Sequence, residues 1–257
     1  MKLNIVLFQM NVIFGEPESN FQTINNFVEQ TFIEENSILM LPELFLTGYH
    51  KDSLNVTAFS ENQGYYLDKL KDISDKKKIA IYGSICEING EDFYNTAVFI
   101  KPNGEVTSYR KSHLFGPMGE KDLFIHGREI VYVNFLDIKF GLSICYDLRF
   151  PRLYQKQRDA GVKIHLICAE WPNSRIIHWK KLLSARAIEN QNYVIALNRV
   201  GKDPNYTYGG NSGIYSPFGE TLIDIDNDLV GSAQFKIDIN KIDEFRNLFN
   251  TSNDDWI

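Results

Sequence analysis

The run Phe140-Gly141-Leu142-Ser143-Ile144, halted by Cys145 and followed six residues later by Pro151, restricts the fold more than any other stretch of the chain. Its apolar continuity reads as a strand buried inside a layered structure rather than one facing water. Pro151 suits the first turn of a helix, where its missing N–H leaves no hydrogen bond unmade. The segment therefore predicts a buried strand, a sharp corner at Cys145 and a helix. Such a corner leaves backbone N–H groups free to point at a ligand, the setting in which hydrolases hold a serine or thiol nucleophile. A cysteine in the same place serves core packing equally well, and position alone does not decide between the two.

The rest of the chain alternates strand and helix in a compatible way. Strands are predicted over 3–9, 37–41, 79–87, 95–101, 106–111, 130–135, 139–145 and 163–169, and later over 193–198, 213–216, 221–225 and 229–237. Asn89-Gly90 and Asn103-Gly104 separate alternating segments and read as hairpin turns. A helix opening at Pro17 places Phe21, Ile24, Val28 and Phe32 on one face, and a second over 65–77 turns Leu67, Leu70 and Ile73 inward. The strongest helical pattern covers 174–190, with Ile176, Trp179, Leu183 and Ala187 as its stripe. Arg186 falls on that stripe, and a buried guanidinium needs a carboxylate, for which Glu170 is the candidate. A short helix over 239–249 and an acidic tail close the chain. Sheets with one helix-covered face each would pack back to back as a four-layer α-β-β-α sandwich. Periodicity does not separate that arrangement from a doubly wound sheet. No linker, repeat or low-complexity stretch interrupts residues 1–257, so a single domain is expected.

Charge and composition exclude several classes of function. A net charge of -6 offers no basic surplus for nucleic-acid binding. No apolar run is long enough for a membrane span. Three cysteines, without an apparent secretory leader, fit a reduced, cytoplasmic setting. Histidines and cysteines do not cluster at metal-ligand spacings, and no glycine-rich phosphate loop follows a strand, so neither metal nor cofactor is expected.

A thiol nucleophile at Cys145 needs a base. His113 is the histidine to weigh; His165 sits in an apolar strand and His178 on the strong helix. Carboxylates at strand ends are the alternative. Glu43, in Leu41-Pro42-Glu43-Leu44-Phe45, is an acid flanked by apolar residues, which is costly unless it is paired or functional. Lys111, in Tyr109-Arg110-Lys111-Ser112-His113, likewise ends a strand and would otherwise be a solvated edge lysine.

Glu43 in its Pro-Glu context, Lys111 in Tyr-Arg-Lys-Ser-His-Leu and Cys145 in Cys-Tyr-Asp-Leu-Arg-Phe-Pro together resemble the nitrilase, or carbon–nitrogen hydrolase, superfamily over nearly the whole chain. The resemblance implies an α-β-β-α sandwich, a Glu-Lys-Cys triad and pairing into a homodimer. It implies that Glu43 is the general base and that Cys145 forms a thioester while ammonia leaves. Lys111 and the backbone N–H of Tyr146 would then stabilise the oxyanion. Glu120 matches the position of a second glutamate of the family that orients lysine or substrate.

The segments Ala169-Glu170-Trp171-Pro172-Asn173-Ser174-Arg175 and Asn198-Arg199-Val200-Gly201 are similar to the ω-amidase branch. That branch hydrolyses 2-oxoacid amides such as 2-oxoglutaramate, so the implied partner is a small-molecule amide. Trp171 and Arg175 are the candidate substrate-binding residues; Arg175 would meet the distal carboxylate at a helix N-terminus. General aliphatic, deaminated-glutathione and N-carbamoyl amidases share the triad and remain alternatives. A Cys–His hydrolase using His113 is another. So is a silent interaction module in which Cys145 is a redox-sensing thiol.

Overall fold

The computed structural model of the chain describes residues 1–225 and 229–248; the acidic tail lies outside them. The chain opens with β1 (Lys2–Gln9), α1 (Pro17–Gln30), β2 (Ile38–Met40), α2 (Lys51–Thr57), α3 (Tyr65–Lys77), β3 (Ala80–Asn89), β4 (Asp92–Ile100) and β5 (Val106–Arg110). A short α4 (Glu120–Leu123) leads into β6 (Tyr132–Phe135), β7 (Ile138–Ile144), α5 (Pro151–Asp159), β8 (Ile164–Ala169), α6 (Ile176–Asn190) and β9 (Tyr193–Asn198). Then follow β10 (Val200–Lys202), β11 (Thr207–Gly209), β12 (Ser212–Tyr215), β13 (Thr221–Ile225), β14 (Gly231–Asp238) and α7 (Asn240–Leu248).

Among the described residues these strands form two six-stranded sheets, ordered β14-β1-β2-β3-β4-β5 and β13-β12-β9-β8-β7-β6, with β10 and β11 as a separate ribbon. Both sheets mix parallel and antiparallel pairs: β1, β2 and β3 run parallel, as do β7, β8 and β9, and the flanking strands are antiparallel. Side-chain alternation explains the layers. In the first sheet Ile5, Leu7, Ile38, Met40, Tyr82 and Phe99 face the second sheet, where they meet Phe135, Phe140, Leu142 and Ile144. Their neighbours Val6, Leu39, Ile81, Val98 and Ile100 point the other way, under Phe21, Ile24 and Val28 of α1 and Leu67, Leu70 and Ile73 of α3. Trp179, Leu183 and Ala187 of α6 and Tyr154 of α5 cover the outer face of the second sheet. The result is the four-layer α-β-β-α sandwich, not a doubly wound sheet.

Several boundaries and partners differ from expectation. α1 ends at Gln30, so Phe32 leaves the apolar face and is 82% exposed. Helix α2 and the ribbon of β10 and β11 carry no strong periodicity and were not foreseen. Arg186 is buried as predicted, but its carboxylate is Glu189, one turn along α6, at 2.9 Å, with its Nε on the Leu148 carbonyl. Glu170 pairs instead with Arg199, because the parallel register sets Ala169 beside Asn198 and so brings the two following residues together. His165 is a core residue held by Gln157 and Asn192, and burial pushes its pKa down to about 3.

One side chain ties the two sheets together beneath the corner at Cys145. Tyr82 Oη donates to the Ser143 carbonyl at 2.8 Å and accepts from the Ser143 N–H at 3.1 Å. Tyr82→Phe removes both bonds, and a third to the Leu166 carbonyl at 3.2 Å, without opening a cavity. It should therefore lower unfolding free energy by about 1–3 kcal/mol in urea titration. A change indistinguishable from zero would mean that the bridge contributes nothing.

Candidate active site

Four chemistry-bearing residues stand immediately beyond the carboxyl ends of strands. Glu43 follows β2, Lys111 follows β5, Cys145 follows β7 and Glu170 follows β8. The open end of parallel strands is where α/β sheets present ligands, because loops diverge there and leave a crevice. Stacking two sheets face to face brings these ends to one place.

Lys111 is the hub. Its backbone N–H donates to Asn95 O at 2.9 Å and its carbonyl accepts from the Gly127 N–H at 2.8 Å, so the main chain stays extended past β5. Gly127 is required there: a Cβ would lie 2.2 Å from the Arg110 carbonyl oxygen. The fully buried ammonium donates to Glu43 Oε1 at 2.7 Å and to both Glu120 oxygens at 2.8 Å. Two neutral groups knit the carboxylates together. Asn95 Nδ2 lies 2.8 Å from Glu43 Oε1 and 3.0 Å from Glu120 Oε1, while Tyr49 Oη lies 2.7 and 3.1 Å from the same atoms. Glu43 Oε2 accepts the Glu170 N–H at 2.7 Å, and Glu120 Oε2 accepts the Phe115 N–H at 2.6 Å. Glu120 is thus buried in the cluster rather than a charge on a loop surface.

The electrostatics follow from two carboxylates and a thiol around one ammonium. Burial pushes Glu43 up, but the Lys111 charge, with the bonds from Tyr49 and Glu170, outweighs it and holds the carboxyl below its ordinary value. Burial, with the Glu43 charge, keeps Glu120 above its ordinary value despite Lys111. Burial would lower Lys111, yet Glu120 and Glu43 together raise it well above the ordinary lysine range. Burial and the Glu43 charge lift Cys145 well above the ordinary thiol range, so at neutral pH it rests as a thiol rather than a thiolate.

Cys145 opens a short 3-10 turn, Cys145–Arg149, and adopts φ +44°, a left-handed conformation uncommon for a residue with a Cβ. Asp147 holds this turn. Its buried carboxylate accepts the Ile144 N–H at 3.0 Å and the Tyr109 hydroxyl at 2.8 Å on Oδ2, and the His113 N–H at 3.0 Å on Oδ1, where His113 Nδ1 also sits at 2.7 Å. One side chain thereby fastens the corner of the second sheet to the end of β5 in the first. His113 is stacked on Phe150 with ring centres 3.6 Å apart and is engaged by Asp147. The thiol's own hydrogen-bond partner is Glu43, whereas His113 Nδ1 is taken up by Asp147.

Cys145 opens into a small pocket lined by Lys111, Tyr146, Glu170, Trp171 and two arginines. Trp171 is buried and its Nε1 donates to the Arg175 carbonyl at 2.8 Å. Arg175 caps the start of α6, lies 4.9 Å over the Phe115 ring, and keeps Nη2 buried without a partner among the described residues. Arg149 was not foreseen; its guanidinium lies 4.9 Å over the Trp171 ring, beside His178. Sequence reasoning also missed Tyr49 and Asn95, which no local pattern marks, and the part played by Asp147, although it lies in the motif that begins at Cys145. Cys86 and Cys168 are buried free thiols, and burial raises both.

The family model for carbon-nitrogen hydrolase matches residues 5–247. The chain belongs to the carbon–nitrogen hydrolase family. It is 34% identical to a 2-oxoglutaramate amidase of Bacillus subtilis (strain 168), over 96% of this chain and 98% of that protein. It is 32% identical to a deaminated glutathione amidase of Dictyostelium discoideum, over 89% of this chain and 86% of that one. A solved carbon–nitrogen hydrolase superfamily protein from Xanthomonas campestris, XC1258, superimposes with a TM-score of 0.92 at 27% identity, covering 100% of this chain and 99% of that one. That crystal structure carries an arsenic adduct in its active site. As a carbon–nitrogen hydrolase, this chain shares both the sandwich and the superfamily's reaction class with its relatives.

The Asp147 clamp makes a specific demand. Asp147→Ala leaves the Tyr109 hydroxyl and the Ile144 and His113 N–H groups without their acceptor. It should cost about 2–4 kcal/mol by chemical denaturation, with turnover falling along with it. Full stability and full activity would show that the corner holds itself.

Proposed function

We propose that the chain is an ω-amidase acting on short 2-oxoacid amides of the 2-oxoglutaramate type through a Cys145 thioester. The observation that carries this reading is the pocket itself, in which a thiol and a buried ammonium face two guanidinium groups. One of these, on Arg175, has a buried donor left over. A substrate with a carboxamide at one end and a carboxylate at the other matches that polarity. The 2-oxoglutaramate amidase relative, alike over almost the whole length, supports the same choice.

In the first half-reaction Cys145 Sγ attacks the amide carbon while Glu43 takes the thiol proton and the carbonyl electron pair moves onto oxygen. Lys111 Nζ and the Tyr146 N–H receive that oxyanion. Collapse restores the carbonyl and breaks the C–N bond, and the proton held by Glu43 passes to nitrogen as ammonia leaves. Water then gives a proton to Glu43 and attacks the thioester; collapse expels the sulfur, which regains the proton, and the free acid departs. An ionised Glu43 and an un-ionised thiol are the correct starting states for this sequence. Proton transfer from such a thiol is uphill, so it accompanies attack, when the oxyanion forms beside Lys111. Glu120 acts as a positioning residue that fixes the ammonium. Trp171 walls the acyl chain and Arg175, aided by Arg149, holds the distal carboxylate. We further propose one catalytic domain over the whole chain, paired as a homodimer in the cytoplasm, in keeping with the family resemblance and the free thiols; light scattering tests the pairing.

Ammonia release should be fastest with 2-oxoglutaramate in a panel that includes glutamine, deaminated glutathione, N-carbamoyl-β-alanine and simple nitriles. Preference for deaminated glutathione would transfer the assignment to that activity. Cys145→Ala should lower kcat by at least about 10³-fold with folding intact. Activity near wild type would remove the thioester and leave the silent-module reading. Arg175→Met should raise KM for 2-oxoglutaramate by about 10-fold or more while kcat changes little. An unchanged KM would take the carboxylate away from Arg175. The acid limb of kcat/KM that belongs to Glu43 should fall below pH 4.5, because the base is lost only as pH drops through a pKa held under that value.

A further inference from the structure

Glu170 is a fully buried carboxylate that the proposed chemistry leaves unused. Only its backbone N–H, which supports Glu43, takes part. Oε1 accepts from Arg199 Nη1 at 3.0 Å. Arg199 is itself buried and spends its other nitrogens on the carbonyls of Val12 and Val200. Oε2 is buried with no hydrogen-bond partner among the described residues, although Glu170 lines the pocket that Cys145 and Lys111 share. An unmet acceptor of this kind is costly, and folded proteins rarely leave one without a reason. Burial, with the Glu43 and Asp203 charges adding to it, lifts Glu170 to about 8 in spite of Arg199, so at neutral pH the vacant Oε2 retains a proton, which it releases to solvent when an arriving hydrogen-bond donor favours the charged form.

The other charged side chains lining the pocket, Lys111, Arg149 and Arg175, can only donate. They can serve the carbonyl oxygen of a carboxamide and a distal carboxylate, but not the two N–H bonds on the scissile nitrogen. Among the lining side chains of the described residues, Glu170 is the only carboxylate. We propose that Glu170 is the residue that recognises the amide, its Oε2 accepting a hydrogen bond from the scissile carboxamide nitrogen and holding that nitrogen in place while Cys145 attacks the carbon. The pocket would then select amides over esters and free acids, which bring no such donor. This proposal rests on the reading of Cys145 as nucleophile and adds a specificity residue to it.

Glu170→Gln tests it at nearly constant shape. A guanidinium cannot accept, so the Gln carbonyl oxygen must stay on Arg199 and its NH₂ must turn into the pocket, replacing an acceptor with a donor. The readout is kcat/KM for the carboxamide and for the methyl ester of the same acyl group. The amide-to-ester ratio should fall by at least about 30-fold relative to wild type. A ratio within about threefold of wild type, whether or not both rates decline together, overturns the proposal and leaves Glu170 a structural partner of Arg199. A second measurement does not depend on that variant folding. In Cys145→Ala, calorimetric affinity for the carboxamide should exceed that for the methyl ester by at least about 10-fold, and equal affinities overturn the proposal. If Cys145→Ala retains turnover, the nucleophile assignment itself has failed. If it is inactive while the amide-to-ester ratio ignores Glu170, only the present inference has.

Discussion

The site depends on a single buried ammonium. Removing a lysine charge from water costs several kcal/mol, and only close, well-directed anions offset that. Lys111 has them in Glu43 and Glu120, at 2.7 and 2.8 Å, with Asn95 and Tyr49 binding both carboxylates from the side. One ammonium cannot neutralise two carboxylates and a thiolate. Burial, reinforced by that excess negative charge, therefore shows up as protons retained: Glu43 is held ionised, while Glu120 and Cys145 are both pushed toward their neutral forms. The reactivity of the thiol is thus conditional. In the proposed mechanism it gives up its proton only as a developing oxyanion gives Lys111 something new to stabilise.

The fold supplies the geometry that this balance requires. Residues from two sheets must meet within hydrogen-bond distance, and the meeting point is where strands from both sheets end together. Cross-sheet fastenings hold it there: Tyr82 to Ser143 below Cys145, and Asp147 to Tyr109 and His113 beside it. Each reaches from a strand or its end in one sheet to the other. The left-handed backbone at Cys145 is sustained by this surrounding network rather than by any local preference of cysteine.

Much of this was legible in the order of residues. Period-two alternation marked the strands, Pro17 and Pro151 marked helix starts, and Glu43, Lys111 and Cys145 each stood out as a reactive group where a strand stops. Family resemblance then joined the three. Asn95 and Tyr49 were not legible, because each is an ordinary polar residue whose shared partner Glu120 is distant in sequence and whose strand or loop pattern is unaffected by it. Glu170 was matched to the wrong arginine for a related reason. Burial of Arg186 could be inferred from its helical stripe, but the partner of Glu170 depends on the register between β8 and β9, which no periodicity reveals. Phe32 failed in the opposite direction: the stripe continued past the point where the helix ends.

By itself the sequence determined which segments become strands and helices and which reactive groups lie at their ends, since those depend on local periodicity and turn chemistry. It also carried the family, through three short motifs in order. Only the tertiary structure decided that the sheets pack face to face, which neighbours set the charge on Glu43 and Cys145, and which donors and acceptors remain unpaired in the pocket. The physical reason is that protonation and hydrogen-bond satisfaction depend on burial and on contacts between residues far apart in the chain, and these exist only once the two sheets have closed on one another.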